Sequence, residues 1–119
     1  MAKVVYLAGP MSGKAYFNFP EFFWYEDLLR AQGFEVWSPA RNDIEKFGAF
    51  YCHCPNGTHE ELEALGREIP TYRTALKDDL NFILDKAEAI ALMPGWETSK
   101  GAVIEHALAV CLGLEIIFF

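Results

Sequence analysis

Two carboxylates stand out by the company they keep. Glu105 lies in the run Ala102-Val103-Ile104-Glu105-His106-Ala107-Leu108-Ala109-Val110-Cys111-Leu112, which is apolar except at Glu105 and His106. A helix that is apolar nearly all round is covered on more than one side. A carboxylate in its second turn is then costly unless it has hydrogen-bond partners or a chemical task. The plain alternative is an exposed glutamate favoured by the dipole at a helix start. Asp79 is the second candidate. At helical phase Leu76, Leu80, Ile83 and Leu84 define a core face, Asp79 falls at its margin, and Asp78 points nearly opposite. Asp79 can enter a crevice while Asp78 stays solvated, although a surface acid is the ordinary reading of either.

Two glycine-punctuated segments could bring a ligand to these acids: Gly9-Pro10-Met11-Ser12-Gly13, and the stretch from Pro94-Gly95-Trp96 to Ser99-Lys100-Gly101. Gly9, Gly13 and Gly101 permit close backbone approach, and Ser12, Ser99 and nearby amides can bind an anion at a helix start. The first segment is not the GxxxxGK[ST] phosphate loop. Tyr6, Phe17, Phe19, Trp24 and Trp96 could stack a base, with Phe22 and Trp24 expected instead in the core.

The elements that must position these groups alternate. A buried strand is expected over 3–8, a helix over 18–32 with Pro20 in its first turn and Gly33 as its stop, and a strand over 34–37 ended by Ser38-Pro39. Turn residues and mixed polarity over 41–57 suggest a long loop or lid. Thr58-x-x-Glu61 has capping-box spacing and starts a short helix. A longer helix follows over 70–86, a strand over 88–93, a helix over 100–112 capped by Ser99 and stopped by Gly113, and an apolar strand over 115–119. Alternation of this kind predicts a small α/β, Rossmann-like or flavodoxin-like three-layer fold with a mostly parallel sheet of four to five strands. In strand order 2-1-3-4 both glycine segments leave carboxyl ends beside the switch point, where such folds bind ligands.

Composition bounds the rest. The 119 residues, 52% hydrophobic and 23% charged, are read as a single domain over 1–119 and exclude global disorder. A net charge of -7 without a basic cluster argues against a nucleic-acid duplex as partner. No apolar run approaches the ~18 residues that span a bilayer, and the N-terminus has no secretory pattern, so no membrane association and a cytoplasmic location are expected. The three cysteines cannot close a disulfide framework. Cys52, His53, Cys54 and His59 lack the paired knuckles of structural zinc, so no metal is expected, and Cys111 reads as a small core residue.

These residues together carry a resemblance. Tyr6-x-x-Gly9-x-x-x-Gly13, Asp79-Leu80, an apolar strand and Ser99-x-Gly101-x-x-x-Glu105 resemble the nucleoside 2'-deoxyribosyltransferase superfamily, which includes 2'-deoxynucleoside 5'-phosphate N-hydrolases. Tyr6-Leu7-Ala8-Gly9-Pro10-Met11-Ser12-Gly13 with Asn18-Phe19-Pro20 and Pro94-Gly95-Trp96-x-x-Ser99-x-Gly101-Ala102-x-x-Glu105 more closely resembles small phage and prophage deoxyribosyltransferase-like proteins of unestablished activity, with the 41–67 segment least constrained by the resemblance. The resemblance implies Glu105 as nucleophile, Asp79 as the acid that orients it and handles the leaving base, and Tyr6 as a holder of sugar and nucleophile. It implies a substrate-binding set of Gly9, Pro10, Met11, Ser12, Gly13, Trp96, Ser99 and Gly101, with Ser99 favouring a 5'-monophosphate. It requires no cofactor. Val103 stands where the family has a second glycine and is expected to crowd the sugar, and the chain lacks the C-terminal segment of the transferases, so hydrolysis is expected over base exchange.

N-glycosidic cleavage also suits the residues themselves, since a carboxylate can capture an oxocarbenium-like centre while a second acid protonates the base. The expected function is an N-glycosidase acting on a deoxynucleoside or deoxynucleoside 5'-monophosphate. The alternatives are a non-catalytic nucleotide-binding module and an NAD-type N-glycosidase. The apolar circumference of the 100–112 helix further predicts a homodimer or higher homo-oligomer, or else coverage by the 41–67 segment within one chain.

Overall fold

The computed structural model describes residues 2–66 and 71–119. Four strands, β1 (Val4–Ala8), β2 (Glu35–Trp37), β3 (Ala89–Leu92) and β4 (Glu115–Phe118), form one all-parallel sheet in the order β2-β1-β3-β4. The two central strands read as continuous apolar runs because both faces are covered. Val5 and Leu7 of β1 with Ala89, Ala91 and Met93 pack into one core, and Tyr6, Ala8, Ile90 and Leu92 into the other.

The first core is covered by α1 (Phe19–Ala31), α2 (Pro39–Phe47) and α3 (His59–Ala64), and the second by α4 (Tyr72–Asp85) and α5 (Lys100–Leu112). Three layers result, as alternation predicts. Short 3-10 turns at Ala15–Asn18, Phe50–His53 and Trp96–Thr98 join them. The helix ends follow their sequence signals. Thr58 and Glu61 form a reciprocal capping box, Ser99 accepts from the Ala102 amide at 3.2 Å, and Gly113 ends α5 at φ 73°. The expected start of the 70–86 helix at Pro70, and Arg67 at the end of the expected lid, lie outside the described residues.

Several expectations are corrected. The 41–57 stretch is not one long loop, because α2 occupies its first part and the 3-10 turn Phe50–His53 lies in the remainder. Ser38 caps α2 by accepting from the Arg41 amide, Pro39 takes the first turn, and Gly48 ends the helix at φ 79°. Ser-Pro therefore acts as a helix start rather than only a strand end. Ala40, Ile44 and Phe47 carry its apolar face onto the first core. Trp24 is 61% exposed although Phe22 is buried, since the buried positions of α1 run Phe19, Phe22, Glu26, Leu29 and leave Trp24 outside that stripe. Leu84 is 55% exposed, and Cys111 also faces outward rather than into the core.

The 41–66 residues do not cover α5. They pack into the first layer, while Val103, Ile104, Val110 and Leu112 remain exposed on α5. No helix among the described residues is long and apolar enough to cross a membrane.

Candidate active site

A cavity of about 640 Å³ opens at the carboxyl ends of β1 and β3. Its walls come from five places: residues 9–12 and 14 after β1, Phe17 and Phe19 at the entry to α1, the 39–62 segment, the inner face of α4, and residues 98–102 and 105 at the start of α5. This is the switch-point position that parallel order 2-1-3-4 prescribes.

Glu105 and Asp79 meet here. Glu105 is 5% exposed and lines the cavity, and its Oε2 accepts a 2.7 Å hydrogen bond from the Tyr6 hydroxyl. Asp79, also buried, lines the cavity from α4 close enough to both Glu105 and Tyr6 for each to act on its ionisation. Asp78, one residue away, turns outward to Lys46. The phase argument thus separates the two aspartates as expected.

Burial and mutual charge set the protonation of the pair. Burial, then the Glu105 charge, then the charge of Asp43 push Asp79 from 3.8 up to about 9. Burial also raises Glu105, to about 7, against the opposing effect of hydrogen bonds from Tyr6 and Asp79. Near neutrality Asp79 is therefore the protonated member, donating to an ionisable Glu105. The Tyr6 phenol is held well above its ordinary value, chiefly by burial and then by the Glu105 charge, and stays a donor.

Tyr6 is fixed from behind. Its ring stacks on Trp37 at 5.4 Å, and Trp37 stacks in turn on Phe82 at 4.7 Å. The fully buried ring reaches the site only through its hydroxyl.

The loop after β1 is shaped by unusual backbone. Tyr16, Phe17 and Asn18 all have positive φ, a conformation that costs roughly 1–2 kcal/mol per residue without glycine. The segment is tied down where the Asn18 side chain donates to the Pro10 carbonyl at 2.9 Å and the Tyr16 amide donates to the Cys54 carbonyl at 3.0 Å. Opposite, Gly57 lies so close to Lys14 that a Cβ would stand 2.1 Å from its carbonyl oxygen. These ties place Phe17 and Pro10 on the cavity wall.

Of the other expected site residues, Gly9, Pro10, Met11, Ser12, Ser99 and Gly101 line the cavity. Gly13 does not, and instead donates its amide to the Gly57 carbonyl at 2.9 Å. Trp96 is also absent from the wall and packs against His106 with ring centroids 4.6 Å apart. Val103 is 41% exposed on the outer side of α5 and crowds nothing in the cavity, because Glu105 and Ala102 occupy the inner face. Trp24 is remote from any stacking role, whereas Phe17 and Phe19 line the cavity.

Sequence reasoning missed Asp43, Phe50, His59 and Tyr72, all of which line the cavity. Three of them follow from the misread 41–57 stretch or its neighbourhood. The spacing Ala40, Ile44, Phe47 behind a Ser-Pro start is the signal that could have found α2, and with it Asp43. Among the described residues, no group of three His, Cys, Asp or Glu side chains is arranged to hold a metal ion.

A family model described as a domain of unknown function (DUF4406) matches residues 3–118. The chain belongs to that family. The match spans β1 to β4, so the DUF4406 domain contains both cavity loops and the Tyr6, Asp79 and Glu105 cluster. No curated protein matches the chain.

Proposed function

We propose that this DUF4406 protein is an N-glycosidase acting on a deoxynucleoside or deoxynucleoside 5'-monophosphate, with Glu105 as nucleophile. The observation that carries the reading is a buried Glu105 accepting from Tyr6, with the buried Asp79 beside it in one cavity. The volume suits a nucleotide-sized ligand.

In the proposed reaction, a Glu105 carboxylate oxygen attacks the anomeric carbon while the bond from that carbon to the base nitrogen breaks. The bonding electrons leave with the base, and Asp79 supplies its proton to a base nitrogen. The resulting glycosyl ester is opened by water, which gives a proton to the Asp79 carboxylate as its oxygen bonds the anomeric carbon and frees Glu105. Tyr6 keeps one Glu105 oxygen fixed so that the other faces the sugar. Activity should rise with pH as Glu105 ionises near 7 and fall as Asp79 loses its proton near 9.

A 5'-phosphate is favoured by the cavity-lining start of α5. Ser99 there accepts from Ala102 and still has its own hydroxyl proton to donate, and Lys14 and Lys100 also line the cavity. We further infer a two-fold homodimer in the cytoplasm, since exposed Val103, Ile104, Val110 and Leu112 leave an apolar face on α5 that a second copy would cover. Incubation with deoxynucleosides, their 5'-monophosphates and NAD, followed by chromatography for free base, tests the activity. Release from the monophosphates is expected. Binding without release would make the protein a nucleotide-binding module, and release only from NAD would replace the substrate class.

A further inference from the structure

The reaction outlined above leaves one buried carboxyl without a task. Asp43 is 7% exposed and lines the cavity from α2, on the same helix face as Pro39. Its side chain accepts no hydrogen bond from any described residue, and its oxygens stay open to the cavity rather than sealed in the protein. The charges acting on it are Asp78 of α4, which opposes its ionisation, and Lys46 of its own helix, which favours it; those two are bonded to each other. Asp43 also acts on Asp79, so both belong to one neighbourhood of the cavity.

A buried carboxyl without a protein partner is disfavoured unless something else supplies donors. Its setting says what kind of ligand group can do so. Phe17 and Phe50 line the same cavity, their rings packed edge to face with centroids 6.4 Å apart, and make the wall beside Asp43 apolar, as suits the hydrophobic faces of a heterocycle.

We propose that Asp43 reads the base: its two carboxylate oxygens accept adjacent N–H donors on the edge of the leaving base, which selects guanine. An ionised carboxylate is acceptor-only and carries two oxygens side by side. Among the four DNA bases, guanine alone presents a ring N–H beside an amino group. Adenine and cytosine put a ring acceptor next to the amino group, and thymine has one N–H between two carbonyl oxygens, so each sets a lone pair against Asp43. The choice of base rests on the N-glycosidase reading for its chemistry and on Asp43 for its selectivity.

The test uses the full chain at pH 8 with the 5'-monophosphates of deoxyguanosine, deoxyinosine and deoxyadenosine. Release of guanine should exceed release of adenine by at least about tenfold, with hypoxanthine between them because it lacks the amino group. Hydrogen bonds to a charged group are worth about 1.5–3 kcal/mol, so Asp43→Asn should lower the guanine-to-adenine ratio by roughly 10- to 100-fold. Asp78→Asn should leave that ratio within about twofold, because at pH 8 Asp43 is ionised with or without the Asp78 charge and Asp78 itself does not line the cavity.

Calorimetric binding of the same nucleotides to Glu105→Gln separates this inference from the catalytic one. If no base is released but deoxyguanosine monophosphate binds more tightly and Asp43→Asn removes the preference, the catalytic reading fails and Asp43 stands. Equal ratios in wild type and Asp43→Asn, a preference for adenine or a pyrimidine, or no nucleotide binding at all would overturn the assignment of Asp43.

Discussion

Replacing Asp43 by asparagine should make the protein more stable at pH 8, although it removes a group from the candidate site. Burial, reinforced by the Asp78 charge and offset in part by Lys46, moves Asp43 from 3.8 to about 7. The folded chain therefore holds a proton that the unfolded chain gives up. A folded-state value above the unfolded one means that stability is greatest below about 3.8 and is lost as pH rises through about 7. Each pH value over which only the folded chain keeps the proton costs about 1.4 kcal/mol, which sets a limit of about 4 kcal/mol for Asp43 at pH 8. Water in the open cavity lowers this, so about 2–4 kcal/mol is expected. Asparagine is neutral and of the same shape, so the variant should melt roughly 6–15 °C above wild type at pH 8 and close to it at pH 4. Thermal unfolding followed by circular dichroism at both pH values is the assay. A variant that melts at or below wild type at pH 8, or that gains equally at pH 4, would refute the placement of Asp43 as an unpaired buried acid.

Three further outcomes follow from the same geometry. Asp79→Asn should slow base release by at least about 100-fold, within the range of lost general acid catalysis, whereas Asp78→Asn should change it less than threefold, as measured by steady-state kinetics with one substrate. Tyr6→Phe keeps the stack on Trp37 and the tilted contact with Phe82 but removes a donor to Glu105, so the rising limb of the pH–rate profile should move up by about 1–2 pH values. Ser99→Ala should weaken binding of a deoxynucleoside 5'-monophosphate more than binding of the matching nucleoside by calorimetry; equal weakening would leave Ser99 as a helix cap alone.

Much of the scaffold was readable in the chain because its signals are local. The buried strands show as apolar runs, α5 is bracketed by Ser99 and Gly113, and the phase of α4 is enough to send Asp79 inward and Asp78 outward. The α2 region was not readable in the same way. Ser38-Pro39 suits both a strand end and a helix start, and α2 is short, with only Ala40, Ile44 and Phe47 marking its apolar face among polar residues that also suit a loop. Without α2, Asp43 had no place in the site. The left-handed run Tyr16-Phe17-Asn18 was hidden for a different reason: no glycine marks it, and its cost is met by a tie to nearby Pro10 and another to Cys54, distant in sequence. Trp24 shows the limit of composition, since a large aromatic in an apolar helix still points where the helix phase sends it.

The central claim is that Glu105 attacks the sugar, and Glu105→Gln addresses it most directly. The amide preserves the shape of the side chain and can still accept from Tyr6, but it cannot form the glycosyl ester. Wild-type protein incubated with a deoxynucleoside 5'-monophosphate should release free base, and the variant, melting within a few degrees of wild type, should release it at least about 1000-fold more slowly. Full turnover by a folded Glu105→Gln protein would contradict the account.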